Sequence, residues 1–212
     1  MAAMEASPRN TSQSVEFGRV VSFTDGIFAI AITLLVLNFD VPEVPGAPAA
    51  QVDDYLETLG GDVLAYLLTF AVVGRLWLVH HRLFATLESF DSRLMVLNLA
   101  YLSMIALMPF PAELLGDYGD QHLPVVIYAS VLGTAAGLNW VMARHAVRAG
   151  LVEAQHRETT ASWGSRRFAF IPAVFLLSIP VALVSPLAAE LMWTALLLGR
   201  IGSGLVDRRK GG

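Results

Sequence analysis

The chain has no cysteine, which excludes disulfides, thiolate metal sites and cysteine nucleophiles. Charge is scarce as well. Only 15% of the 212 residues are charged, against roughly a quarter in an ordinary soluble domain. No apolar signal core occupies residues 1–16, so no cleaved signal peptide is expected. There is no low-complexity tract and no evident internal repeat. The serines lie in no nucleophile-elbow context. His80 and His81 are adjacent and point about 100° apart, unlike a chelating pair four residues apart on a helix. His122, His145 and His156 fall in loops or at helix ends, where solvation is the plain reading. These absences argue against an enzyme, and no cofactor, fixed metal or nucleic-acid partner is expected.

What fills the chain is apolar. Hydrophobic residues make up 55% of it, and the mean hydropathy is +0.59. They come in long blocks, and a helix needs about 20 mostly apolar residues to cross about 30 Å of hydrocarbon. The blocks predict spans at Phe17–Phe39, Val63–Leu83, Leu94–Leu114, Leu123–Arg144, Phe168–Val184 and Leu187–Ile201. Pro109 and Pro111 are expected to end the third span. Pro180 and Ser185-Pro186 split the last apolar run, which reads as a tight hairpin or, alternatively, as one kinked helix. The prolines 42, 45 and 48 predict a stiff, non-helical outer segment.

Charge sorts by side. The stretch from Asp40 to Asp62 holds Asp40, Glu43, Asp53, Asp54, Glu57 and Asp62 with no Lys or Arg, and Asp117 and Asp120 follow after the third span. Arg82 and Arg93 lie on the other side. So do Arg144, Arg148, Arg157, Arg166 and Arg167, followed by Arg208, Arg209 and Lys210. Basic loops stay cytoplasmic, and the alternation is clean only with six spans and both termini inside. The expected organisation is an all-α membrane protein of the plasma membrane. It has a polar tail over residues 1–16, a six-helix domain over 17–206 and a short basic tail over 207–212.

The first span is the unusual one, because Arg19 and Asp25 interrupt its inner half. An ionisable group inside the bilayer costs at least a few kcal/mol unless paired or hydrated. Arg19 can snorkel to the interface; Asp25 is short and sits deeper. At 100° per residue the two point about 120° apart, so each needs partners on another helix. Arg75, Trp77, His80 and His81 stand at the matching depth of the second span. In the outer half, Leu37, Leu34 and Thr33 lie within about 60° of Ile30, with Gly26 and Ile27 continuing the stripe inward, while Asp25 lies about 140° away. Ordinary helix packing is the plain reading of such a stripe, and a membrane Thr usually bonds back to its own i−4 carbonyl. Ala129, Gly133 and Gly137 form a strip of small residues in the fourth span suited to close helix contact. Asn98 and Asn139 read as interhelical hydrogen-bonding groups, either of which can join the polar cluster.

Arg19-Val-Val-Ser-Phe23-Thr24-Asp25 resembles the Arg-x-x-x-Phe-Ser-Asp signature of the TMEM175 family of potassium channels, with threonine for the usual serine. The continuation Gly26 to Leu37 resembles bacterial members, and Trp77-Leu-Val-His80-His81-Arg82-Leu-Phe84 is a second match. The resemblance implies a homotetramer whose four first helices line a pore for K+, without the TVGYG filter, a string this chain also lacks. It places a hydrophobic constriction at Ile30, Leu34 and Leu37, with Thr33 as a hydroxyl layer where K+ passes transiently. It makes Arg19, Phe23, Thr24 and Asp25, with Trp77 and His80 or His81, a structural network beside the pore. The competing class is a proton-linked secondary transporter relaying through Asp25 and His80 or His81. Against it stands the lack of an inverted repeat or of paired broken helices.

Overall fold

The computed structural model describes residues 8–38, 49–165 and 169–194. The prolines 42, 45 and 48, the acids Asp40 and Glu43, Arg166, Arg167 and the basic tail lie outside them. The described residues form helices α1 (Pro8–Leu34), α2 (Ala49–Phe84), α3 (Ser92–Leu107), α4 (Pro109–Tyr118), α5 (His122–Arg148), α6 (Arg157–Trp163) and α7 (Phe170–Ala182). An eighth helical stretch, α8, occupies residues 186–194. Four stretches among the described residues are long and apolar enough to cross a membrane: Val15–Leu37, Val63–Phe84, Ser92–Tyr118 and His122–Arg148. Helix α7, with 13 residues, is shorter.

Three boundaries differ from expectation. Helix α1 begins at Pro8, inside the segment read as a polar tail, and continues beyond Leu34 as a 3-10 turn over Leu35–Asn38. Helix α2 begins at Ala49, so the second half of the outer acidic segment is helical rather than extended. Its 36 residues measure about 54 Å at 1.5 Å per residue, well beyond the hydrocarbon thickness. Pro109 and Pro111 do not end the third span. Met108 keeps helical dihedrals of −55° and −35°, and Pro109 takes the first position of α4, where a missing N–H costs least. The prolines interrupt the hydrogen-bond ladder without turning the chain.

Helix α5 is the centre of the bundle, packed against α3, α4, α6 and α7. Its most apolar stretch is 56% buried, against 22% for those of α1 and α2. The two N-terminal spans therefore leave most of their surface uncovered by their own chain. Gly133 lets α7 approach α5: a Cβ there would meet Leu176 Cδ2 at 3.1 Å and Phe175 Cβ at 3.3 Å. Helix α5 ends in a Schellman motif, with Leu151 N–H donating to Ala146 O at 2.9 Å and Gly150 N–H to Val147 O at 3.3 Å. Gly150 supplies the positive φ of 70° that this cap requires.

The chain reverses after α7. Ser185 N–H donates to Val181 O at 2.8 Å, and the Ser185 hydroxyl caps α8 through Ala188 N–H. Buried Trp193 then donates its indole N–H to Ser178 Oγ at 2.8 Å and stacks on Tyr128. Residues 178 and 193 meet only if α8 folds back along α7, so the hairpin describes this run and the single kinked helix does not. On the basic side, the turn after α2 pairs with the segment after α5. Glu88 N–H donates to Leu151 O and Glu153 N–H to Thr86 O, and the Thr160 hydroxyl reaches that of Thr86 at 3.2 Å.

Gly133→Val is expected to destabilise the bundle by about 1–3 kcal/mol through overpacking against Leu176. Thermal unfolding in detergent should show the lower midpoint, whereas Thr134→Val, on an exposed position of the same helix, should leave it unchanged.

Candidate functional site

Helix α1 is buried on one side only. Thr24, Phe28, Ala31 and Leu35 are each no more than 2% exposed; at 100° per residue they share one face, packed against α2 and α3. Phe23, Ile30, Leu34 and Leu37 stand opposite, 54%, 57%, 39% and 69% exposed. Thr33 is exposed on the same side and donates its hydroxyl proton to Ala29 O and Ile30 O, both at 2.9 Å.

The buried face is held by a polar seam. Trp77 Nε1–H donates to Asp25 Oδ1 at 2.8 Å. One residue away, Thr24 Oγ1 accepts from Asn98 Nδ2–H at 3.1 Å, and the same amide's Oδ1 lies 2.8 Å from His80 Nε2. An amide oxygen only accepts, so the imidazole carries its proton on Nε2. Asn98 thus bridges α1, α2 and α3 through a single side chain. The His80 ring is fixed further by stacking on Phe84 at 4.2 Å and Tyr101 at 5.0 Å between ring centroids, with Phe28 tilted against it. Trp77 and His80, three residues apart, project from one side of α2, so both bonds arise from the same helix face.

The other residues singled out from sequence lie elsewhere. Arg19 and Phe23 are on the exposed side of α1, and no hydrogen bond or ion pair among the described residues joins Arg19 to the seam. His81 is exposed and stacks on Trp77 at 5.2 Å. Asn139 is buried near Tyr101, with its Nδ2 unbonded. Asn98 proves the central member of the seam; a carboxamide in an apolar helix was its sequence signal. His145 is no solvated helix end. Its Nε2 lies 2.8 Å from Asp91 Oδ2. Among the described residues no group of three or more His, Asp or Glu converges as a metal site.

The family described as the endosomal/lysosomal potassium channel TMEM175 matches residues 19–109. That range begins at Arg19 and includes every residue of the seam. A potassium channel of Streptomyces collinus is 33% identical over 181 residues, covering 80% of this chain and 84% of that one. A potassium channel of Chamaesiphon minutus is 31% identical over 176 residues, covering 80% and 86%. The crystal structure of a lysosomal potassium-selective TMEM175 homologue from Chamaesiphon minutus superposes with a TM-score of 0.75 at 27% identity, covering 87% of this chain and 95% of that one. The molecule is thus an all-helical membrane protein similar to proteins named as channels, not enzymes. The chain belongs to the TMEM175 family.

Removing the bridge should be costly. Asn98→Ala leaves Thr24 and His80 without their partner, and a lost buried bond of this kind costs about 1–3 kcal/mol. The thermal midpoint of the purified protein should fall accordingly, while Thr24→Ser, which keeps the acceptor, should hold within about 0.5 kcal/mol.

Proposed function

We propose that the chain is a potassium-permeable cation channel, assembled as a homotetramer with four copies of α1 around a central pore. The observation that carries this reading is the one-sided burial of α1. Thr24 and Asp25, costly in lipid, are satisfied by the neighbouring helices, while the opposite face is left uncovered by its own chain. The potassium-channel names of relatives that match four-fifths of the chain support the same choice of ion.

In such an assembly each exposed residue of α1 becomes a ring. Rings of Ile30, Leu34 and Leu37 form a dry constriction that can gate by dewetting. Thr33 adds oxygen. Because its proton is donated to the carbonyls of Ala29 and Ile30, the lone pairs of Oγ1 remain available to a cation. Four such oxygens replace part of a hydration shell and favour the more easily dehydrated K+ over Na+. The acids between the first two spans concentrate cations at the outer mouth. Six spans, with α7 and α8 as the last two, place both termini at the cytoplasmic face of the plasma membrane, in line with the basic loops. The channel then leaks at rest to the extent that the constriction stays wet.

The carrier reading is weaker on geometry. His80 bonds the amide of Asn98, which does not titrate, and Asp25 bonds an indole N–H. Asp25 and His80 are thus each engaged with a partner that passes no proton on, and His81 stands exposed against the Trp77 ring.

Potassium flux into liposomes holding the full chain tests the proposal, and a flux no greater than that of empty liposomes contradicts it. Thr33→Ala is expected to lower the potassium-to-sodium permeability ratio by about 2- to 10-fold, the equivalent of roughly 0.5–1.5 kcal/mol for an oxygen contact. Unchanged reversal potentials would remove the hydroxyl layer from the mechanism.

A further inference from the structure

A second polar feature lies where α3 begins and α5 ends. A cavity of about 290 Å³ opens there, lined by Arg93, Val141, Arg144, His145, Arg148 and Ala149. Three arginines thus face one space, and no carboxylate lines it. Asp91, the acid that touches His145, is already engaged, accepting from Leu94 N–H at 2.7 Å and lying against His145 Nε2. The Leu94 amide, followed by His145, holds the Asp91 carboxyl below its ordinary range. Neither the His145–Asp91 nor the His156–Glu153 ion pair includes Arg93, Arg144 or Arg148, and none of these three has an acidic partner among the described residues. Like charges gathered without counterions repel, and the arrangement is stabilised when an anion occupies the space.

The position says what kind of anion. The cavity lies at the ends of two membrane-spanning stretches, Ser92–Tyr118 and His122–Arg148. Arg144 stands 5.4 Å over the ring of Trp140, and that indole donates to Ser165 O at 3.0 Å. Tryptophan with arginine at the end of a span is the pattern of the headgroup zone. Basic pockets between spans at that depth take lipid phosphates, and a guanidinium bonds phosphate oxygens in pairs. Arg93 and Arg148 are exposed and can close on a headgroup from two helices, while Arg144 sits deeper.

We propose that this cavity is a binding site for the phosphate of an anionic phospholipid, held by Arg93, Arg144 and Arg148. The lipid bridges the start of α3 to the end of α5. It is distinct from the ion path on α1, and its occupancy does not depend on which ion the protein conducts.

The test is equilibrium binding of fluorescent phosphatidylglycerol to the full-length protein in neutral detergent, competed with phosphatidylcholine or inorganic phosphate. Wild type should prefer phosphatidylglycerol to phosphatidylcholine. Arg93→Gln with Arg148→Gln should weaken it by about tenfold or more, since each basic residue near an anionic surface contributes several-fold. Arg82→Gln with Arg157→Gln removes the same charge from exposed positions that do not line the cavity, and should change little. Arg148→Gln alone should give an intermediate loss. Equal affinity for the two lipids, or equal losses in the two double variants, would overturn the site. Displacement of the lipid by millimolar inorganic phosphate would overturn the lipid as its occupant.

Discussion

A carboxylate and a hydroxyl placed side by side in a membrane helix must be satisfied by neighbouring helices, because lipid offers them nothing. Asp25 and Thr24 impose this condition, and much of the first three helices follows from it. The indole of Trp77 answers Asp25. Asn98 answers Thr24 and in turn engages His80, whose ring is clamped between Phe84 and Tyr101. These bonds fix the rotation of α1 about its own axis. Once that rotation is set, Ile30, Thr33, Leu34 and Leu37 have no choice but to face away from the rest of the chain. The polar seam and the apolar stripe are two consequences of one orientation.

The remaining helices give α1 something firm to lean on. Helix α5 is buried over more than half of its apolar stretch, with Gly133 letting α7 approach and Trp193 folding α8 back onto Ser178. The turn after α2 is tied to the segment after α5 at the basic membrane face. The division is between a packed half, α5 to α8, and a half whose outer surface is left for lipid or for other copies of the chain.

Much of this could be read from the residues. Apolar blocks located the four stretches long enough to cross a membrane, because bilayer thickness sets their length. The opposition of Asp25 to the Ile30 stripe followed from helical periodicity alone. The seam's partners on α2 followed from depth, and the serine-like hydroxyl of Thr24 from the signature it resembles. Other features depend on tertiary context. Periodicity does not reveal that Pro109 sits where a helix can resume, so the third span seemed to end there. It also does not reveal that α2 extends past the bilayer. His145 looked like a solvated helix end, because its partner Asp91 is 54 residues away and enters only when α3 docks on α5. Arg19 belongs to the same signature as Asp25, yet its position on the helix turns it to the exposed side.

If the exposed face of α1 is the ion path, a small permeating reagent reaches its residues and not those of the seam face. The absence of native cysteine makes a direct measurement possible. Single cysteines at Ile30, Thr33, Leu34 and Leu37, and at Phe28, Ala31 and Leu35, can be challenged with silver ion, a small thiol reagent, during potassium flux in liposomes. Inhibition at the first four and none at the last three is the predicted result. Inhibition at Phe28 or Leu35 with Ile30 and Leu34 untouched would contradict the account.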